Sequence, residues 1–414
     1  MTIKYENECL YFGDINIAEL GKDHNTPFYL YSENLILQNL DRYLNQLKTI
    51  DSLICYSVKS NSNLSILSIF AKKGCGFDIV SGGELQRVIL AKGNTNKVVF
   101  SGVGKTNEEI KFALESKILC FNVESFGELN RINQVASDLS TTANVSIRVN
   151  PEIDAKTHPY ITTGLSENKF GVAQDDVLEI FLQAKKLSNI KITGIDYHIG
   201  SQITEIQPFT DAATKVSSVI AELRKNNILL NHVDIGGGLG INYSENVTVD
   251  CKPLVDSVVK IFENSNLKII IEPGRSLVGN TGIIVTKVID VKRNTNGKKF
   301  LIVDAGMNDL IRPPLYNAFH NIKEARIINR KKEKFDVVGP ICETADFLGK
   351  DRDLATDSNE LLVIEDVGAY GFVLASNYNS RPKIPEYMIS NGLVKCIRAR
   401  ERFDDMIADE KKYL

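Results

Sequence analysis

The sequence lacks paired cysteines, long apolar runs and an excess of charge of one sign. Its seven cysteines are dispersed, and none lies in a Cys-x-x-Cys pair. Such a set is typical of a reducing compartment rather than of a disulfide framework. No run approaches the roughly 18 apolar residues of a membrane span, and the opening residues MTIKYENECLYFGD lack a signal-peptide pattern. We therefore expect a cytoplasmic protein with free thiols.

Charge and missing motifs narrow the possible partners. The 414 residues include 49 basic and 52 acidic side chains, which leave a formal net charge of -3. This balance gives no reason to expect nucleic acid or an anionic membrane as a partner. The chain has no HExxH motif, no spaced Cys/His ligand set and no calcium-loop pattern, so no metal site is predicted.

Between about residues 50 and 275, short apolar runs alternate with longer amphipathic stretches. The runs cover residues 53–59, 76–81, 97–102, 119–125, 145–150, 192–200, 232–238 and 268–275. Strands that are apolar throughout, joined by helix-length connections, predict a parallel sheet buried on both faces. Eight units favour a closed (β/α)8 barrel, although periodicity alone leaves an open doubly wound sheet as the alternative.

After about residue 280 the pattern changes to strand-like segments without long helices between them. These segments are TGIIVTKVIDVKR, KKFLIVDAG, KEARIINR, KFDVVGPIC and ELLVIEDVGAYG. They predict a second, mostly antiparallel β domain, and we expect the strand-rich segments YFGDINIAEL and PFYLYS near the N-terminus to join it. We assign residues 30–278 to the barrel and residues 1–29 and 279–414 to the β domain.

The active site of such a barrel lies at the carboxyl ends of its strands, and the residues there are unusually polar. They are Lys59, Asp78, Ser81, Ser101, Glu124, Arg148, Asn150, His198, Ser201, Gly236–Gly238 and Glu272–Arg275. The run GGGLG (236–240) follows the seventh strand, where this fold often binds phosphate through backbone N–H groups. Taken alone, a glycine run equally indicates a tight turn.

Lys59 follows the first barrel strand, where lysines are ordinarily solvated. Beside a phosphate loop it suits an amine that attacks an aldehyde, and pyridoxal phosphate supplies both the aldehyde and the phosphate. Glu272 is then the candidate partner of the pyridine nitrogen, unless it merely pairs with an arginine. His198 is the candidate to stack on the ring, unless it is a satisfied core histidine, and Ser201 is a candidate donor to the phosphate.

Ten segments spread over nearly the whole chain resemble diaminopimelate decarboxylases. They are YSVKSN (56–61), GFDIVSGGEL (76–85), HPYITTG (158–164), NKFG (168–171), HIGSQ (198–202), GGGLG, EPGR (272–275), RPPLYNAFH (312–320), VGPICETADFLGKDR (338–352) and GAYGFVLASNYNSRP (368–382). The resemblance implies an alanine-racemase-like barrel whose C-terminal β domain completes the active site and the dimer interface. It also implies decarboxylation of meso-2,6-diaminopimelate to L-lysine with pyridoxal 5'-phosphate, the last step of bacterial lysine biosynthesis, by a homodimer whose active sites are shared between subunits.

The same resemblance implies roles for individual residues. Cofactor binding falls to Lys59, Asp78, Arg148, His198, Ser201, Gly236, Gly237, Gly238, Glu272, Pro273, Gly274, Arg275 and Tyr370. Substrate binding falls to Arg275, Arg312, Tyr316, Glu343 and Tyr370. Lys59 and Cys342 are the catalytic residues, with Cys342 as the proton donor and with Cys342 and Glu343 coming from the partner subunit. Without the resemblance, Cys342 would be taken for a small buried hydrophobic residue.

Three other functions remain as alternatives. A decarboxylase of ornithine, arginine or carboxynorspermidine would share most of these motifs, but ornithine has no distal carboxylate for Arg312 to bind. A non-catalytic binding protein of the same fold is disfavoured because Lys59, Glu272 and Cys342 are intact. A racemase of the same class is disfavoured because the CET and GAYG segments resemble the decarboxylases.

Overall fold

The computed structural model describes residues 3–154, 169–244 and 249–414. The chain separates into two compact units, which we call the β unit (within 1–38, 242–247 and 277–414) and the barrel unit (within 39–241 and 248–276). The first elements along the chain are β1 (Ile3–Glu6), β2 (Cys9–Phe12), β3 (Ile15–Asn16), α1 (Ile17–Asp23), β4 (Phe28–Ser32) and α2 (Glu33–Leu47).

Part of the N-terminal segment expected to be strand is helix α1. The Asn16 side-chain oxygen accepts the backbone N–H groups of Ala18 and Glu19, at 3.0 and 3.2 Å. This cap satisfies two amides that the first turn of a helix leaves without partners, and it therefore ends the strand pattern at β3.

Eight parallel strands of the described chain close into a barrel, so the open-sheet alternative is wrong. The strands are β5 (Ser52–Ser57), β6 (Gly76–Ile79), β7 (Val98–Phe100), β8 (Cys120–Val123), β9 (Ala143–Arg148), β10 (Ile190–Asp196), β11 (His232–Asp234) and β12 (Lys268–Ile271). Closure is direct, because Ile270 of β12 pairs with Leu53 of β5. Strands β6, β7 and β8 are buried at every residue, as apolar strands covered by helices should be.

Helices follow the barrel strands. They are α3 (Leu64–Lys72), α4 (Gly82–Leu90), α5 (Asn107–Glu115), α6 (Phe126–Asp138), α7 (Val177–Ala184), α8 (Gln207–Lys225), α9 (Lys252–Phe262) and α10 (Arg275–Val278). Hydroxyl side chains cap the N-termini of several of these helices. Ser81 accepts the N–H of Glu84 at 3.2 Å, and Thr106 forms a reciprocal capping box with Glu109. Ser81, one of the polar strand-end residues, is therefore a helix cap.

The β unit continues after the barrel. Its elements are β13 (Gly282–Arg293), β14 (Lys299–Val303), α11 (Arg312–Tyr316), β15 (Ile322–Glu324), β16 (Glu333–Val338), β17 (Phe347–Leu354), β18 (Leu361–Ile364), β19 (Glu386–Ser390), β20 (Leu393–Arg398) and α12 (Phe403–Met406). Most pairs are antiparallel, whereas β14–β16 and β19–β4 are parallel. The predicted β domain is confirmed, and the N-terminal strand β4 lies between β13 and β19.

The β unit differs from the sequence pattern in several details. KEARIINR was expected to be a full strand, but only its first residues belong to β15. Strand β17, FLGKDRDL, is too charged to be recognised as a strand, and it forms at the edge of its sheet, where exposed polar side chains are tolerated. None of the helices in the described part of the chain combines the length and the hydropathy that a transmembrane helix requires.

Candidate active site

A cavity of about 340 Å³ opens at the carboxyl ends of the barrel strands. It is lined by Lys59, Val80, Ser101, Gly102, Val103, Arg148, Phe170, Asp196, Tyr197, His198, Asp234 and Glu272. These residues follow or end different strands of the barrel, so the closed sheet brings together side chains that are far apart in sequence. Lys59, Arg148, His198 and Glu272, which the sequence singled out, all face this one space.

Lys59 lies in a short 3-10 turn, Val58–Ser60, directly after β5. Its Nζ donates to Asp78 Oδ2 at 2.9 Å, and the Ser57 hydroxyl donates to the same oxygen at 2.7 Å. The Lys59 side chain is 38% exposed, whereas that of Asp78 is fully buried. The buried carboxylate thus holds the amine at the cavity wall while leaving it accessible to a bound molecule.

Two buried carboxyl groups, Glu272 and Asp234, lie near each other in the cavity wall. Burial and the nearby Asp234 raise the pKa of Glu272 well above its ordinary value, and burial likewise raises the pKa of Asp234. Ionisation of both carboxyl groups would place two negative charges side by side away from water, at a high cost in free energy, so the pair retains a proton. Asp234 Oδ2 has no hydrogen-bond partner among the described residues. A cationic N–H group of a ligand would satisfy this pair.

Asp234 and a third acid, Asp196, are the last residues of β11 and β10, and neither was among the predicted site residues. Asp196 accepts a hydrogen bond from the Ser146 hydroxyl at 2.8 Å. Burial and the neighbouring Asp234 raise the pKa of Asp196 well above its ordinary value. Their signal in the sequence was an acid two residues before His198 and before Gly236, at the end of an apolar strand.

His198 is held as a neutral ring. The N–H of Gly237 donates to His198 Nδ1 at 3.3 Å, so Nδ1 is the acceptor and the proton lies on Nε2. Burial lowers the pKa of His198 well below its ordinary value, and the cations Arg148 and Lys59 lower it further. An uncharged, half-buried imidazole in the cavity wall suits stacking on a flat ring.

Backbone conformation and close packing require glycine in the loop Gly236–Gly238. Gly236 and Gly238 have φ angles of +65° and +116°, and a Cβ on Gly237 would lie 2.2 Å from the Glu272 carbonyl oxygen. The N–H of Gly236 donates to Asp234 Oδ1 at 2.9 Å. The tight-turn explanation therefore accounts for these glycines, and phosphate binding by the loop stays a prediction.

The segment after β12 packs back onto the end of β5. The N–H of Ser57 donates to the Pro273 carbonyl at 3.2 Å, and a Cβ on Gly274 would lie 3.0 Å from the Ser57 and Ser60 Cβ atoms. Arg275 then donates through Nη2 to the Ser201 hydroxyl at 3.0 Å. Pro273 and Gly274 thus shape the backbone beside Lys59, and Arg275 and Ser201 are brought together.

Arg148 is buried and paired with Glu124. Its Nη1 donates to Glu124 Oε1 at 2.7 Å, and the N–H of Gly171 donates to the other oxygen of the same carboxylate at 2.7 Å. The Phe170 ring lies 4.9 Å from the Arg148 guanidinium. One carboxylate therefore connects this cation to the chain that follows HPYITTG (158–164), a segment that lies outside the described residues.

Within the β unit, Arg312 and Tyr316 lie on the short helix α11. Arg312 is buried, and its Nη1 contacts His320 Nε2 at 3.0 Å. Tyr316 is half-buried. Tyr370 is also half-buried and has a φ angle of +55°, a left-handed conformation that is uncommon for a residue other than glycine.

Cys342 and Glu343 lie together on the loop between β16 and β17. Cys342 is exposed, so the explanation of a buried hydrophobic residue is wrong. Its N–H donates to Asn379 Oδ1 at 2.8 Å, and the Tyr378 hydroxyl donates to Glu343 Oε1 at 2.7 Å. Asp346 stiffens this loop by accepting the N–H of Ile341 at 2.6 Å.

Comparison with known proteins finds relatives that match nearly the whole chain. Residues 33–279 match the family described as "Pyridoxal-dependent decarboxylase, pyridoxal binding domain". The diaminopimelate decarboxylase of Neisseria meningitidis serogroup A is 46% identical over 401 residues, covering 97% of this chain and 98% of its own. That of Aquifex aeolicus is 44% identical over 407 residues, covering 98% and 96%.

Solved structures give the same result. The crystal structure of diaminopimelate decarboxylase from Helicobacter pylori complexed with L-lysine is 44% identical, with a TM-score of 0.93, and covers 96% of this chain and 100% of that one. The lysine decarboxylase of Selenomonas ruminantium, at 20% identity and a TM-score of 0.83, shows the shared fold alone. The chain therefore belongs to the diaminopimelate decarboxylases, a family of pyridoxal-phosphate-dependent carboxy-lyases.

Proposed function

We propose that this protein decarboxylates meso-2,6-diaminopimelate to L-lysine and carbon dioxide with pyridoxal 5'-phosphate, the last step of bacterial lysine biosynthesis. The observation that carries this proposal is the barrel cavity, where an accessible amine, a neutral imidazole and a buried acid pair face one space. Membership of the family, at 46% identity over 97% of the chain, supports the choice of substrate.

The residues of the cavity fit the cofactor. The Glu272–Asp234 pair, with an Asp234 oxygen that lacks a partner in the described chain, would receive the pyridinium N–H. His198 would cover the ring, Lys59 would attach to the aldehyde, and the glycine loop with Ser201 would hold the phosphate. When bound, pyridoxal phosphate withdraws electrons from the carbon that loses carbon dioxide.

Asp78 and Arg148 would support this arrangement. Asp78 orients Lys59 by accepting a hydrogen bond from its Nζ at 2.9 Å, which would direct the amine towards the aldehyde of the cofactor. Arg148 contributes positive charge at the cavity wall, which adds to burial in lowering the pKa of His198 and keeping that imidazole neutral.

The substrate carries a second amino-acid end that does not react. Its carboxylate suits a buried arginine, and we assign Arg312 to it, with Arg275, Tyr316 and Tyr370 as further substrate contacts. Glu343 suits the ammonium group of the same end. After loss of carbon dioxide the carbon needs a proton, and the exposed thiol of Cys342 is the donor in this proposal.

We further propose that the protein is a cytoplasmic homodimer whose active sites combine Lys59 of one subunit with Cys342 and Glu343 of the other. Mixed dimers of the Lys59→Ala and Cys342→Ala variants test the shared site. Each variant is inactive alone, and the two are co-expressed so that their subunits pair at random. Random pairing would restore about a quarter of wild-type activity, because about half of the dimers are mixed and one of their two sites is intact. Recovery of no activity would contradict the shared site.

The decisive assay of function measures carbon dioxide and lysine from purified protein with pyridoxal phosphate. The panel contains meso-diaminopimelate, ornithine, arginine and lysine. We expect turnover of meso-diaminopimelate alone. Turnover of ornithine or arginine instead would retain the cavity and Lys59 but contradict the assignment of Arg312, and inactivity on all four would favour a non-catalytic protein.

A further inference from the structure

His320 is a fully buried histidine in the segment RPPLYNAFH, and the proposed reaction gives it no role. It lies eight residues after Arg312, beyond the end of helix α11. Its Nε2 is 3.0 Å from Arg312 Nη1, and its Nδ1 is 2.8 Å from the Glu365 carbonyl oxygen. It therefore joins the arginine assigned to the substrate carboxylate with the sheet of the β unit.

The hydrogen bonds determine which nitrogen of His320 carries the proton. A carbonyl oxygen only accepts, so Nδ1 donates to Glu365, and Nε2 presents its lone pair to the Arg312 guanidinium. The carbonyl is itself fixed, because the Glu365 N–H donates to the Asn321 carbonyl at 2.9 Å beside the β15–β18 pair. His320 is thus a neutral acceptor attached to a rigid strand.

The Tyr243 ring packs against one face of the Arg312 guanidinium. The Tyr243 ring lies 4.8 Å from the Arg312 guanidinium and meets the His320 ring edge-on, with the ring centroids 5.2 Å apart. A flexible arginine has many rotamers, and each contact reduces the entropy that must be lost when it binds a carboxylate. An imidazole acceptor fixes Nη1 without placing a carboxylate there that would compete with the substrate.

We propose that His320 is a positioning and specificity-determining residue, which presents Arg312 to the non-reacting carboxylate of the substrate. This inference rests on the proposed function and adds a residue to it. It predicts that loss of the His320–Arg312 bond weakens ligands that carry a distal carboxylate and leaves unchanged those that lack one. L-lysine and 1,5-diaminopentane are such a pair, since they differ only in that carboxylate.

His320→Asn and His320→Gln form a matched pair of test variants. The shorter asparagine amide can retain the bond to the Glu365 carbonyl but does not reach Arg312, whereas the glutamine oxygen can reach it. For His320→Asn we expect about a tenfold rise in KM for meso-diaminopimelate and in the inhibition constant of L-lysine. We expect little change in kcat, in bound cofactor or in inhibition by 1,5-diaminopentane, because this contact is made equally before and during the reaction. His320→Gln should recover most of the loss.

The controls distinguish a failure of the proposed function from a failure of the inference about His320. Wild-type protein that does not release carbon dioxide from meso-diaminopimelate contradicts the proposed function, and this inference with it. Active wild-type protein together with an unchanged KM in His320→Asn contradicts the inference alone. Equal weakening of L-lysine and 1,5-diaminopentane, or a parallel loss of cofactor, would show that His320 is merely structural. Arg312→Lys gives the scale of the effect, because it alters the carboxylate contact itself.

Discussion

Lys105 carries a charge into the interior of the barrel unit, and its replacement by methionine tests how the cavity wall is held. The side chains of Lys105 and Glu128 are only 1% and 3% exposed. Lys105 Nζ donates to Glu128 Oε1 at 2.7 Å, to the Gly102 carbonyl at 2.7 Å and to the Asn122 carbonyl at 2.9 Å. Gly102 and the adjacent Val103 line the cavity, so this ammonium group anchors the loop that forms part of its wall.

Lys105→Met preserves much of the side-chain length but removes the charge and all three donated bonds. Near neutral pH it leaves the buried Glu128 carboxyl group without its partner, a change that costs about 3–5 kcal/mol of unfolding free energy. Burial raises the pKa of Glu128 even beside Lys105. Without Lys105 this pKa rises further, so the folded variant retains a proton that the unfolded chain releases. Stability of the variant therefore increases as pH falls, and its deficit should shrink towards about pH 5.

The assay is urea unfolding of cofactor-free protein followed by far-ultraviolet circular dichroism, because the chain has no tryptophan. Glu128→Leu and the double variant complete the cycle. The double variant should be more stable than the two single losses predict, since it leaves no buried charge uncompensated. The reasoning is refuted if Lys105→Met lies within about 0.5 kcal/mol of wild type near neutral pH, or if the two losses simply add.

Three further predictions concern the cavity and the exposed thiol. Lys59→Ala should lose the visible absorbance of covalently attached cofactor, and a variant that keeps this band contradicts the assignment of Lys59. Cys342→Ala should slow turnover by about 10²–10⁴-fold while binding cofactor normally, whereas an unchanged rate excludes the thiol as proton donor. Because the folded-state pKa of Asp234 is raised, cofactor-free wild type should lose stability as pH rises from the carboxyl range towards neutrality, and Asp234→Asn should lose less. Equal pH slopes in unfolding experiments would show that Asp234 does not retain the proton.

The barrel could be predicted because its signals are local. Strands such as β6 and β8 are buried at every residue, so each is visible as an unbroken apolar run. Strand β17 was missed because it is charged and lies at a sheet edge. The helix α1 was missed because a single capping residue, Asn16, outweighs the strand-like composition around it.

In the candidate site, too, some residues could be predicted from the sequence and others could not. Lys59, His198 and Glu272 could be identified because the carboxyl ends of parallel strands meet at one rim, so position along each strand is enough to place them. The acid pair Asp234–Glu272 could not, because it depends on the register between β11 and β12, which no local pattern encodes.

The sequence by itself determined the family, the order of the βα units and the residue types available for chemistry. The tertiary structure alone decided which groups share a proton, which cation is buried and which arginine is held by a histidine. Lys105 meets Glu128 and Arg312 meets His320 in surroundings that exclude water, and there hydrogen-bond geometry and burial set the energies. Those quantities arise from contacts between distant parts of the chain, and they exist only once the strands have closed and paired.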